Sequence, residues 1–87
     1  MASFRSNEEC FQAVRDLVTR LEQGGHHQAA AELREGFGCL NGLTDGWALF
    51  LQSIERVRAT ASTSFAPDDR RALETIRAAA RAAVHRR

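Results

Sequence analysis

Apolar residues recur at helical spacing in four stretches of the chain, separated by glycine-rich or polar breaks. In the first, Phe11, Val14, Leu17, Val18 and Leu21 share one side of a helix expected over residues 7–23, and Ser6-Asn7-Glu8-Glu9 offers the Ser-x-x-Glu capping box at its start. Glu8, Gln12, Arg15, Asp16, Thr19 and Glu22 take the other side, with Asp16 and Arg20 spaced to pair at i,i+4. Gly24-Gly25 ends this helix. A second helix over residues 26–35 contains Ala29-Ala30-Ala31, turns Ala30, Leu33 and Phe37 inward, and is expected to stop at Gly36. With only two glycines between them, these helices should fold back as an antiparallel hairpin.

The third helix is expected over residues 45–60, capped by Thr44 or Asp45. Trp47, Phe50, Leu51, Ile54, Val57 and Ala61 form its broad inner face and Leu49 lies off it. The hydroxyl-rich run Thr60-Ala-Ser-Thr-Ser competes with helical hydrogen bonds and stops it. Pro67 then suits a first helical position, and Asp68-Asp69 the positive end of a helix dipole, so a fourth helix runs over residues 67–85, with Phe65 placed to staple its entry. Leu73, Ile76, Ala80, Ala83 and Val84 line one side of it, while Arg70, Arg77, Arg81 and His85 line the other with Glu74 among them. No stretch alternates long enough to read as a strand. The expected fold is all-α: a single small domain over residues 1–87 with about four helices, in a bundle or an orthogonal array, between which spacing does not choose.

The stretch Leu21-Glu-Gln-Gly-Gly-His-His-Gln-Ala-Ala-Ala-Glu-Leu resembles the turn and second helix of a tetratricopeptide repeat. That family's period of about 34 residues is not continued in residues 46–87, and a solenoid needs about three stacked units, so the hairpin is retained without the repeat.

Gly36 to Ile54 contains four of the six glycines and the only tryptophan. Ordinary surface loops are less apolar, so this stretch reads as a compact connector. Phe37, Cys39, Trp47 and Phe50 in it either belong to the core or line a small-ligand pocket. Core is the preferred reading, with Trp47 buried against Leu17 or Leu21.

The hydrophobic fraction of 44% and charged fraction of 26% are those of an ordinary globular protein. No apolar run reaches the 18 or so residues of a membrane span and none near the start resembles a secretory signal, so a cytoplasmic location is expected, without membrane association. All twelve basic residues are arginine. GC-rich coding gives that bias together with the fifteen alanines, without selection for arginine chemistry. Net charge is +1, split as +3 over residues 68–87 and −2 over the rest.

Cys10 and Cys39 have neither disulfide-framework nor zinc-knuckle spacing. His26-His27 point about 100° apart on a helix, unlike the i,i+4 pairs that ligate metal. Cys39 lies in a glycine-rich bend whose N–H groups are candidate oxyanion donors, but no partnered base is apparent. No catalytic constellation, metal site or cofactor is therefore implied, and no enzymatic role is expected.

A protein–protein interaction module or regulatory subunit, binding a protein partner or itself as a homodimer through Leu49 and the alanine-rich side of the fourth helix, is the first functional expectation. Nucleic-acid binding through Arg70, Arg77, Arg81, Arg86 and Arg87 is an alternative that the small net charge argues against. A small-ligand site at the Gly36 to Trp47 bend is the other.

Overall fold

The computed structural model describes residues 4–40 and 46–85. Four helices account for most of them: α1 (Asn7–Gln23), α2 (His27–Gly38), α3 (Gly46–Thr60) and α4 (Pro67–His85), with one 3-10 turn at Ser62–Ser64. No strand occurs among the described residues. The all-α expectation with four helices is met.

Each helix boundary has a local cause. Ser6 accepts a hydrogen bond from the Glu9 N–H at 3.3 Å, the first half of the capping box. The second half is displaced, because the Glu9 carboxylate accepts from the Arg5 N–H at 2.8 Å. At the far end of α1, Gly25 adopts φ 88°, where only glycine is unstrained, and the His26 N–H donates back to the Leu21 carbonyl at 2.8 Å. The hydroxyls of Thr60 and Ser62 donate to the carbonyls of Arg56 and Arg58, both at 2.7 Å, where α3 gives way to the 3-10 turn. The expected α3 caps, Thr44 and Asp45, lie outside the described residues.

α2 does not stop at Gly36 but continues through it to Gly38. Gly36 is buried against α3, and a Cβ built on it would lie 2.5 Å from the Ser53 Cβ and 3.3 Å from the Phe50 ring. This glycine is a point of close helix approach, and its lack of a side chain lets Ser53 reach the α2 backbone. Gly46 has the same role at the start of α3, where a Cβ would lie 3.2 Å from the Cys39 carbonyl carbon.

The helices form a closed ring in which α1 packs on α2, α2 on α3, α3 on α4, and α4 back on α1. Along α2 and α3 the pairing runs in opposite directions, with Glu32 beside Arg56 and Gly36 beside Ser53. Arg58 meets Glu74 and Glu55 meets Arg77, so α3 and α4 are antiparallel too. Arg20, late in α1, reaches Asp69 at the start of α4. This is an up–down–up–down four-helix bundle, which resolves the choice between bundle and orthogonal array. Val14, Leu17, Leu21, Leu33, Phe50, Ile54, Leu73 and Ile76 fill its centre, each almost wholly excluded from solvent.

Every seam of the ring carries an arginine–carboxylate pair at its outer edge. Arg34 joins Glu22 across α1 and α2, Arg56 joins Glu32 across α2 and α3, Arg58–Glu74 and Arg77–Glu55 cross α3 and α4 at 2.7 and 2.9 Å, and Arg20–Asp69 closes α4 on α1 at 2.8 Å. The expected Asp16–Arg20 pair is replaced. Arg20 turns to α4, and Asp16 accepts from Gln12 at 2.9 Å.

Candidate functional site

At the end of the bundle where α2 finishes and α3 begins, four aromatic rings pack on one another. Phe11 of α1 meets Phe37 of α2 edge-on at 5.5 Å between centroids and stacks on Trp47 of α3 at 6.0 Å. Phe50 lies beneath, 5.9 Å from Phe37 and 6.3 Å from Trp47. Such offset and edge-to-face contacts are attractive beyond simple burial. The Arg15 guanidinium lies 6.0 Å from the Phe37 centroid, at the outer limit for a cation–π contact.

Phe50 is fully buried, whereas Phe11, Phe37 and Trp47 are each half-buried. Trp47 packs against the core and touches α1 as expected, with the Phe11 ring as its contact there. It reaches α1 one turn or more earlier, at Phe11, because it begins α3 at the end of the bundle, while Leu17 and Leu21 lie deeper along α1. Leu40 is also half-buried here, and Leu49, two residues after Trp47, is 39% exposed, the one exposed large hydrophobic among the described residues.

Cys39 is half-buried at the end of α2, with its thiol directed at the Glu35 carbonyl at 3.7 Å. Its N–H donates to the Gly36 carbonyl and that of Leu40 to the Phe37 carbonyl, both at 3.0 Å. Those two donors complete the last turn of α2 and are not aimed at an oxyanion. Burial pushes the Cys10 thiol above its ordinary pKa, which holds it protonated and unreactive. Among the described residues no group of three or more His, Cys, Asp or Glu side chains converges to hold a metal.

Of the arginines singled out on α4, Arg70 and Arg81 are exposed, but Arg77 lies in the α3–α4 seam between Glu55 at 2.9 Å and Glu74 at 3.7 Å. Glu74 is shared with Arg58, so charges alternate along this edge. Among the described residues the arginines do not gather into one uncompensated basic face; Arg86 and Arg87 lie outside them. Phe37 also lines an open groove of about 260 Å³ between α1 and α2, with Val14, Val18 and Arg34. Its walls are the outer edges of two helices and give no enclosed ligand site.

Sequence reasoning placed Phe37, Trp47 and Phe50 together and Leu49 outside the core. It missed Phe11 as their partner, having assigned that residue to the inward stripe of α1. The available signal was its place at the edge of that stripe, beside Arg15. No helix among the described residues is long and apolar enough to cross a membrane. Comparison of the chain with protein-family models, with curated proteins and with solved structures gives no match.

Proposed function

We propose that this protein works by binding another protein, and that the aromatic end of the bundle is its contact surface. The observation that carries the reading is the grouping of Phe11, Phe37 and Trp47, each only half-buried, at the same end as Leu40 and the exposed Leu49. Binding energy at interfaces concentrates in a few aromatic anchors, and large apolar groups gathered at one place on an otherwise charged surface mark such sites. The seam pairs hold Arg20, Arg34, Arg56, Arg58 and Arg77 against carboxylates, which favours this reading over nucleic-acid binding.

The test is a quantitative capture from the native host with the unaltered chain and with Leu49→Arg, which changes an exposed position and spares the core. A partner retained by the native protein should be lost, with at least about a tenfold fall in affinity, the equivalent of about 1.4 kcal/mol. Equal recovery with both proteins would remove the aromatic end from the proposal.

A further inference from the structure

We propose that the partner protein presents a helix carrying a carboxylate, which Arg15 receives at the edge of the aromatic end. This rests on the contact surface proposed above and adds what the partner must supply there. On the seams of the bundle Arg20, Arg34, Arg56, Arg58 and Arg77 each have a carboxylate from a neighbouring helix. Arg15 also stands on a seam, at the rim of the α1–α2 groove floored by Val14, Val18 and Phe37, yet no carboxylate among the described residues pairs with it. Its charge is nevertheless held in place. The guanidinium lies 6.0 Å from the Phe37 centroid and donates to the Gln12 side-chain oxygen at 3.3 Å, while the Gln12 amide nitrogen donates to Asp16 at 2.9 Å. Asp16 thus fixes the glutamine, and the glutamine fixes the arginine. An arginine set against a ring has lost part of its rotamer freedom before a partner arrives, and its remaining N–H groups match the two oxygens of a carboxylate.

The groove decides the form of the partner. It is open, about 260 Å³, and runs between two antiparallel helices, so a third helix can lie in it with apolar side chains over Phe37 and Phe11. Phe11 leads on to Trp47, which makes the groove continuous with the aromatic end. At its other end Glu22 and Arg34 are committed to each other. Glu8 lies seven residues before Arg15 and therefore on the same edge of α1, about 10 Å away. It is exposed and in no ion pair among the described residues. A helix with an acidic residue at Arg15 and a basic one two turns away at Glu8 satisfies both charges, whereas two acidic residues at that spacing meet repulsion at Glu8. The α2–α3 groove offers no such group, since its Arg56 is paired with Glu32.

The probe is a displayed library of peptides about four turns long, built on an alanine-rich helix, randomised along one face and selected on the native chain. Enriched sequences should share Asp or Glu within an apolar stripe, with Lys or Arg two turns from it. For the strongest peptide, Arg15→Glu should lower affinity at least about tenfold in fluorescence anisotropy. Exchanging the peptide's acidic residue for Arg should restore binding to that variant and not to the native chain. Arg81→Glu makes the same charge change on α4 and should leave affinity within about twofold. Both substituted positions are exposed, so the circular dichroism spectra should be unchanged. Leu49→Arg reads the contact surface separately. Binding lost with Leu49→Arg but kept with Arg15→Glu overturns the carboxylate site and leaves the aromatic contact standing, while binding kept with both overturns the two together. A loss on Arg15→Glu that the exchanged peptide does not reverse, or a library whose binders share no acidic position, also overturns it.

Discussion

A methyl group on Gly36 would meet Ser53 and Phe50 of α3, both buried, so neither neighbour can yield without moving a helix. Gly36→Ala gains about 1 kcal/mol of helix propensity but incurs about 1–3 kcal/mol of overpacking. The expected outcome is a net loss, with a fall in Tm of several degrees, and adding Ser53→Gly to the same chain should recover part of it. Trp47 is partly rather than fully buried. Trp47→Ala is expected to cost about 2 kcal/mol in denaturant unfolding, less than the 3–5 typical of a fully buried ring. A loss below about 0.5 kcal/mol would show that the ring contributes little to the bundle and is held for contact alone. The Cys10 thiol supplies a pH signature. Burial raises its folded pKa, so the unfolded chain ionises first as pH rises. The stabilisation is full at neutral pH and declines from about pH 8.5 upward, where a free thiol titrates, through the raised folded value. Unfolding at successive pH values should show this decline in the native chain and a flatter profile in Cys10→Ala.

At the scale of the helix, α2 is the element with an unfavourable start: His26 makes no side-chain cap and its first turn holds no acidic residue. His27 is exposed there, so His27→Glu should stabilise by about 0.3–1 kcal/mol, read as a rise in Tm, through the helix dipole. His26 is better left alone, since its ring meets Phe65 at 4.9 Å and ties the α1–α2 turn to the entry of α4. The seam pairs predict a difference between two arginines of α4. Arg77→Ala should destabilise by about 1 kcal/mol, while Arg81→Ala, at an exposed position, should stay within about 0.5. Helix existence and most inward positions were legible in the sequence because apolar spacing and caps are local signals, and α1 and α4 lie where those signals placed them. The extension of α2 was not legible, because a glycine that ends a helix and one that admits a neighbouring helix look alike until the neighbour is known. Nor were the five seam pairs, whose partners lie 12 to 49 residues apart. The aromatic site was half legible: Phe37, Trp47 and Phe50 come from one stretch, but Phe11 joins them only through the fold.

For the molecule as a whole, three of the four seams join helices that are consecutive in the chain, and only the α1–α4 seam brings distant segments together. Such topologies close few long loops before contacts form, so folding is expected in about microseconds to milliseconds, measurable by temperature-jump relaxation. The up–down–up–down course also fixes where things emerge. α1 starts and α4 finishes at the end that holds Phe11, Phe37 and Trp47, whereas Gly24-Gly25 and the Ser62–Ser64 turn lie at the opposite end. A tag, reporter or surface tether joined directly ahead of α1 or directly after α4 therefore enters at the aromatic end. The same handle placed at Thr63 leaves that patch facing open solution.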